Sequence, residues 1–171
     1  IENRDFVTPD YVKRLAVPVL SHRVIAKGYA QGTQRETIEA VIGRLVDDGY
    51  VARNPNKSLV FTESGRQHAT HIVQRHRMIE RFLTDFMGYT AAESHVHADE
   101  LGDTFTDEMI ERINERLGEP DRCPHGWPVD TEVEQHENTE LVALADLPQG
   151  RHAQIVRLAE HDGDLLHWFY D

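Results

Sequence analysis

Residues 62–83 read TESGRQHATHIVQRHRMIERFL, and this pattern predicts the long helix around which the rest of the chain is organised. Thr62 is a residue type that caps helix N-termini, and the acidic Glu63 follows in the first turn, where the helix dipole favours negative charge. Apolar residues then recur three and four positions apart, as on one buried helical face: Ile72, Val73, Ile79, Phe82, Leu83 and Phe86.

The same helix carries a histidine and a carboxylate at helical spacing. His76 and Glu80 are four residues apart, so their side chains leave the helix side by side. Imidazole and carboxylate groups on one face are common ligands of divalent transition metals. Taken alone, the pair is better interpreted as a solvated ion pair, and the neighbouring segments change this balance.

The composition sets broad limits on the protein. The chain has 171 residues, of which 39% are hydrophobic, enough to bury a core in one domain or two small ones. No apolar run approaches membrane-spanning length, and no signal peptide opens the sequence. The single cysteine, Cys123, excludes an internal disulfide framework and fits a reducing compartment. We therefore expect a cytoplasmic protein with no membrane segment.

The net charge of −12 is unevenly distributed along the chain. Residues 1–75 contain 11 Lys and Arg against 8 Asp and Glu, a balance of +3, whereas residues 76–171 contain 7 against 22, a balance of −15. This asymmetry fits a basic half that contacts nucleic acid, joined to an acidic half. Only Lys13, Lys27 and Lys57 are lysines, and an acidic, lysine-poor composition suggests a salt-loving archaeal source.

The first 70 residues predict a winged helix-turn-helix. Thr8 and Pro9 begin a first helix, Ser21 a second, and a third with apolar positions from Ile38 to Val46 ends near Gly49. Two strand-like runs, 50–53 and 58–61, flank a polar turn of hairpin length. In a winged helix the third helix enters the major groove and the hairpin lies on the phosphate backbone. The candidate DNA-binding residues are Arg35, Glu36, Thr37, Arg44, Arg53 and Lys57; a plain α+β packing unit is the alternative.

The remainder predicts a helical domain over residues 71–137 and a partial domain over 138–171. After the long helix we expect helices over 91–101 and 106–117, a rigid turn at 123–128, and a polar, acidic linker over 130–139. The last segment changes period, which predicts a strand over 153–158 and a short helix over 165–170. The predicted fold class is mainly α (α+β).

Several motifs in this order resemble the diphtheria-toxin-repressor family of metal-dependent transcriptional regulators. They are T-P-D-Y (8–11), L-V-D-D-G-Y-V (45–51), F-T-E-S-G (61–65), R-H-R-M-I-E-R-F-L (75–83) and C-P-H-G-W-P (123–128). The resemblance implies an N-terminal winged helix, a helical dimerisation domain and, over 138–171, the start of an SH3-like (FeoA-like) domain. It also implies a homodimer that binds Fe2+ or Mn2+ and a palindromic DNA operator, typically to repress metal-uptake genes.

The resemblance further implies two metal sites. The first is carried over to His76, Glu80 and His95. The second is carried over to Asp10 and Asp99, but the family's following Glu-His pair falls here on Gly102 and Asp103. Gly102 offers no side-chain donor, and Asp103 replaces imidazole with a hard oxygen; His97 is a further candidate that could compensate. Mixed nitrogen and oxygen donors suit Mn2+ or Fe2+, although the affinity order leaves Zn2+ open.

Two alternatives stay open from the sequence. A winged-helix regulator with a degenerate metal site, responding to another signal, is consistent with the departures at Gly102 and Asp103. A metal-dependent hydrolase is disfavoured because there is no His-Glu-x-x-His helix, no Gly-rich phosphate loop and no nucleophile-base motif; we therefore expect no enzyme activity. Cys123 is expected to pack, His125 to be a turn residue, and Glu160 or Asp162 is a candidate to reach a metal from the third domain.

Overall fold

A computed structural model describes residues 34–56, 58–102, 104–160 and 162–170. Within these ranges the protein is mainly helical with one small antiparallel sheet, the predicted fold class. The chain divides into two compact units, which meet in the sequence between Ile72 and Val73, beside the predicted boundary at 70/71. The first two predicted helices and Asp10 lie outside the described residues.

The first unit contains a helix, a hairpin and the beginning of the long helix. Helix α1 spans Gln34–Asp47, strands β1 and β2 span Val51–Arg53 and Leu59–Phe61, and helix α2 spans Glu63–Asp85. The strands pair antiparallel, with Val51 opposite Phe61. A small apolar core joins α1, β1 and α2, made of Val41, Ile42, Leu45, Val51 and Ala69.

The start of α2 follows the capping pattern that its sequence predicts. The Gly65 N–H donates to Thr62 Oγ1 at 3.0 Å, and the Thr62 hydroxyl donates to the Gly49 carbonyl at 2.6 Å. A Cβ atom on Gly65 would lie 1.8 Å from the Tyr50 carbonyl oxygen, so only glycine allows this close approach. Thr62 therefore both caps the helix and ties it to the chain ahead of the hairpin.

The second unit consists of helices around the C-terminal part of α2. Helices α3 and α4 span Ala91–Leu101 and Asp107–Leu117 as predicted, and helix α6 spans Gly163–Tyr170. A capping box at Thr90 and Glu93 begins α3, and α6 packs against α3. The core contains the buried Ile79, Leu83 and Ala98, surrounded by partly buried apolar side chains: Phe82, Leu101, Phe105 and Ile110.

Two predictions for the C-terminal third are wrong. The predicted linker over 130–139 is a helix, α5, spanning Thr131–Glu140 and capped by Asp130. Its acidic first turn suits the helix dipole, and Arg77 and Arg122 hold Glu134 and Glu137.

The predicted strand over 153–158 has no partner strand in the described chain. Instead, Leu158 N–H donates to the His125 carbonyl at 3.0 Å. The SH3-like domain over 138–171 stays a prediction. Among the described helices, none has the length and apolar character to cross a membrane.

Candidate metal centre

Three predicted ligands converge in the second unit. Glu80 Oε1 lies 2.9 Å from His76 Nε2 and 2.8 Å from His95 Nδ1, and the two histidine nitrogens are 3.2 Å apart. Glu80 is fully buried, while His76 and His95 keep only a small exposed fraction. We call these three side chains the first donor group.

Helices α2 and α3 position this group. His76 and Glu80 share one face of α2 through their four-residue spacing, and α3 supplies His95. The helices can lie close together because Ala98 of α3 is small and is fully buried in the core with Ile79 and Leu83. Two packed helices thus bring the three donors together.

Asp99 orients His76 rather than joining the three donors. His76 Nδ1 lies 3.2 Å from Asp99 Oδ1. This nitrogen therefore donates a hydrogen bond to the carboxylate, and Nε2 faces Glu80 and His95. A carboxylate in this position fixes the tautomer and raises the basicity of a metal-binding histidine. The assignment of Asp99 as a direct ligand stays a prediction.

The electrostatics of the first donor group favour a positive charge. Burial opposes protonation of His76, but the Glu80 and Asp99 carboxylates outweigh it and raise the histidine pKa to about 9. Burial would raise the pKa of Glu80, yet His76, His125 and His95 hold it well below its usual value. A buried carboxylate that stays ionised among histidines is an environment suited to a cation.

A second donor group lies on the other side of the same glutamate. Glu80 Oε2 is 3.3 Å from His125 Nδ1, Cys123 Sγ is 3.7 Å from that nitrogen, and Cys123 Sγ is 3.8 Å from Glu160 Oε1. All four side chains are buried. His125 Nε2 donates to the Ala91 carbonyl at 2.8 Å, so Nδ1 is the ring nitrogen that faces the group.

A tight turn presents Cys123 and His125. The Cys123 N–H donates to the Trp127 carbonyl at 2.8 Å, and the Gly126 N–H donates to the Cys123 carbonyl at 3.0 Å. Gly126 has a φ of +88°, which favours glycine. Tyr170 of α6 covers the turn, since its hydroxyl donates to the Pro124 carbonyl at 2.9 Å and its ring lies 6.3 Å from His125.

Burial is the main influence on the pKa of Cys123, whereas at His125 the Glu80 carboxylate opposes the effect of burial. Burial, together with the charges of Glu80 and Glu160, raises the pKa of the Cys123 thiol well above its usual value. Burial opposes charge on His125, but the hydrogen bond and charge of Glu80 outweigh it, so the histidine pKa is raised. Without a cation, the Cys123 thiol therefore keeps its proton, whereas a bound metal ion deprotonates a coordinating thiol.

The spacing within both groups fits metal coordination. With metal–nitrogen and metal–oxygen bonds of about 2.0–2.2 Å, adjacent ligand atoms lie about 3.0–3.5 Å apart. The first donor group has separations of 2.8, 2.9 and 3.2 Å. A sulfur ligand at about 2.3 Å widens a tetrahedral edge to about 3.6 Å, close to the 3.7 and 3.8 Å around Cys123 Sγ. The residues therefore fit divalent ions.

The other predicted site residues lie elsewhere. His97 is partly exposed, pairs with Glu100 and stacks edge-on with Tyr89, outside both donor groups. Asp10, Asp103 and Lys57 lie outside the described residues. Arg44 and Arg53 are exposed on α1 and β1; Arg35, Glu36 and Thr37 lie on α1, where only the backbone is described. Their assignments to metal and DNA stay predictions.

Sequence reasoning did not place Cys123, His125 and Glu160 together. A usable signal was present in the turn, where Cys123 and His125, two residue types that bind metals, are separated by one residue. Glu160 lies 37 residues beyond Cys123, and no local pattern connects the two. Only the fold brings that carboxylate to the turn.

Comparison with known proteins gives a set of metal-dependent repressors and one unrelated match at the N-terminus. A family model described as the iron-dependent repressor, metal binding and dimerisation domain matches residues 62–131, and one for the AAA lid domain matches residues 1–44. The diphtheria toxin repressor of Corynebacterium glutamicum is 32% identical over 131 residues, covering 72% of this chain and 58% of that protein. The iron-dependent repressor IdeR of Mycobacterium tuberculosis is 29% identical over 139 residues, covering 75% and 60%.

Solved structures extend the similarity over almost the whole chain. A manganese-dependent transcriptional repressor in complex with manganese is 25% identical with a TM-score of 0.65, covering 98% of this chain and 70% of that one. IdeR of T. acidophilum is 26% identical with a TM-score of 0.63, covering 99% and 79%. The chain spans about three fifths of the length of the curated relatives above.

Proposed function

The chain belongs to the diphtheria-toxin-repressor family of metal-dependent transcriptional regulators, and we propose that it is itself a cytoplasmic regulator that binds an operator as a homodimer when loaded with Fe2+ or Mn2+. The expected role is repression of metal-uptake genes. The named relatives are repressors, in agreement with the expectation that the chain is not an enzyme.

The observation that carries this proposal is the convergence of His76, Glu80 and His95 within 3.2 Å of one another. These residues would hold the effector ion, which would supply the positive charge that the proton on His76 supplies without it. Glu80 is fully buried beside the histidines, and Asp99 keeps the Nε2 atom of His76 turned toward Glu80. The buried negative charge of Glu80 is therefore the physical reason why the site would bind a cation.

Regulation requires that the ion favour one arrangement of the protein over another. A metal can shift DNA binding only as far as it binds the DNA-competent arrangement better than the alternative. Such coupling typically changes affinity by about 5–150-fold. His76 and Glu80 lie on the helix that begins at Glu63, directly after the hairpin, so the ligand helix and the proposed DNA-reading segment are adjacent in the chain.

The proposed DNA contacts lie on α1 and the hairpin. Arg44 and Arg53 are exposed, as phosphate contacts must be, and the proposal adds Arg35, Glu36, Thr37 and Lys57. Contacts to phosphates set the position on DNA, whereas contacts to base edges set sequence preference. High salt should therefore weaken binding steeply through the phosphate contacts.

A second candidate function rests on Gly102. This residue has no side chain to offer a metal, and its carbonyl accepts a hydrogen bond from Arg75 at 3.3 Å. A winged-helix regulator whose second family site is degenerate, responding to a different signal, would have this feature. It differs from the first candidate in predicting DNA binding that does not depend on metal.

The decisive experiment measures operator binding by the purified, chelator-stripped protein, titrated separately with Mn2+ and anaerobic Fe2+ at fixed salt. The probe is a promoter upstream of a metal-uptake gene. We expect metal to tighten binding and His76→Ala to abolish that gain. His136→Ala is the matched control, because this histidine is exposed and lies outside both donor groups. Equal affinity with and without metal would instead support the degenerate-site regulator.

A further inference from the structure

Glu80 belongs to both donor groups, and its two oxygens face different partners. Oε1 lies 2.8–2.9 Å from the nitrogens of His95 and His76, whereas Oε2 lies 3.3 Å from His125 Nδ1. Among the described residues, Glu80 is the one member that the two groups share. A carboxylate whose oxygens each face separate donors is arranged as a bridge.

We propose that Glu80 bridges two divalent metal ions within one protomer, one held by His76 and His95 and the other by Cys123, His125 and Glu160. This inference rests on the proposed function and deepens it, because the effector becomes a pair of ions with a shared ligand. Bridged pairs in proteins hold their ions about 3.5–4 Å apart, a separation that the two oxygens of one carboxylate can span.

A single ion could not use both groups. The donors of each group lie within 4.8 Å of one another, but His76 and His95 do not fall within that range of all the second group's donors. An ion in the second group therefore leaves the imidazoles of His76 and His95 without a metal. An ion in the first group leaves Cys123, His125 and Glu160 without one. Two ions use every donor.

The charges of the site suit two ions better than one. Glu80, Glu160 and a metal-bound Cys123 thiolate contribute three negative charges, and Asp99 adds a fourth beside His76. Arg77 does not offset this charge, since its closer partner is Glu134, 2.6 Å from Nη1, against 3.7 Å between Nε and Glu160 Oε1. Two divalent ions would match the four negative charges, whereas one ion would leave negative charge in a largely buried site.

The two positions differ in chemical preference. The first offers two imidazoles and a carboxylate, which suit Mn2+ and Fe2+, and the second adds a thiolate, which favours softer ions. Cobalt(II) is therefore an informative probe, because a thiolate-to-cobalt absorption band reports ligation by Cys123 alone. Manganese(II) reports the pair, because two bridged ions show spin exchange that isolated ions lack.

The test uses the full, reduced, chelator-stripped chain under anaerobic conditions. Equilibrium dialysis with Co2+ should give two ions per protomer and the thiolate band. His95→Ala should bind one ion and keep the band, and Cys123→Ala should bind one ion without it. Glu80→Gln should weaken both ions by at least about tenfold, the scale expected for a disturbed metal site, whereas Glu108→Gln, an exposed carboxylate on Arg112, should change neither.

Three outcomes would overturn the bridge: one ion per protomer at saturation, loss of only one ion in Glu80→Gln, or independent ions in the manganese spectrum of the wild-type chain. The spectrum needs no variant, so it decides the matter even if Glu80→Gln fails to fold by circular dichroism. Operator binding separates this inference from the proposed function. Metal-dependent DNA binding with one ion removes only the bridge, whereas two bridged ions with metal-independent DNA binding remove only the sensing function.

Discussion

The two donor groups around Glu80 are built by different means. The first takes its donors from α2 and α3, and two of the three are four residues apart on one helix. The second takes two donors from a turn and a third from Glu160, 37 residues beyond Cys123. Helical hydrogen bonds place His76 and Glu80 side by side, so that only His95 depends on helix packing, whereas the whole second group depends on contacts that link distant parts of the unit.

A buried cationic network supplies those long-range contacts. Arg77 donates to the Pro128 carbonyl at 2.5 Å and to Glu134 at 2.6 Å, and its guanidinium lies 5.5 Å from the centre of the Trp127 ring. Arg157 lies 4.8 Å from the same ring, and the Trp127 indole donates to the Leu158 carbonyl at 2.6 Å. This network joins α2, the turn, α5 and the segment that carries Glu160.

The largest expected effect comes from removing the centre of this network. Arg77→Leu removes the guanidinium beside Glu134 and Glu160 from a largely buried site, and breaking a buried ion pair costs about 3–5 kcal/mol. We expect chemical denaturation to show this loss in the free energy of unfolding. The thiolate-to-cobalt band should weaken more than binding at the first donor group.

Arg112→Leu is the matched control for Arg77→Leu. Arg112 pairs with Glu108 on the exposed face of α4, where such pairs contribute about 0–1 kcal/mol. Equal losses in the two variants, or equal weakening of both metal positions by Arg77→Leu, would contradict the view that the second group alone depends on the network.

A smaller effect is expected from the turn itself. Gly126→Ala would place a Cβ atom 2.0 Å from the Val156 carbonyl oxygen in addition to requiring a positive φ. Gly88→Ala requires a similar φ but meets no atom within 4 Å, so it should cost only about 1–2 kcal/mol. Thermal denaturation should rank Gly126→Ala as the more destabilised variant, and cobalt binding at the second group should weaken only there. Identical melting shifts would show that the turn tolerates displacement.

The difference between the groups also explains what the sequence could predict. The capping residue Thr62, the apolar spacing of α2 and the pair His76 and Glu80 are local patterns, and they lead to the observed helix and to two of the first group's donors. His95 came from the family resemblance, since its approach to Glu80 depends on how α3 packs. Donor residues that lie on one face of a single helix can therefore be predicted from the sequence before the fold is known.

The C-terminal third shows where local patterns fail. An acidic, polar composition predicted a linker over 130–139, but arginines 15 or more positions away in the chain pair with its glutamates and stabilise α5. The apolar run 153–158 predicted a strand, yet Leu158 bonds to the His125 segment instead of to a neighbouring strand. In both places the outcome depends on partners that are distant in sequence, and the assembly of Cys123, His125 and Glu160 has the same cause.

The affinity for metal should change with pH at both donor groups, but with a different slope at each. Without metal, the Glu80 and Asp99 carboxylates overcome burial and raise the pKa of His76 to about 9, from 6.5 in an unfolded chain. Its contribution to stability is therefore fully present below pH 6.5 and is lost as the pH rises through about 9. A bound ion must displace this proton, so affinity at the first group should rise by about tenfold per pH unit below pH 9.

The second group should depend on pH more steeply. An ion bound there must displace the thiol proton of Cys123, whose pKa is raised, and the raised pKa of His125 adds a second competing protonation. Near neutral pH, we expect fewer protons released per ion in Cys123→Ala, which keeps the first group, than in His95→Ala, which keeps the second. Measuring proton release in weakly buffered solution during Co2+ titration gives both values. Equal proton release from the two variants would mean that the two donor groups exchange protons for metal in the same way. The groups would then differ only in the elements that position their ligands.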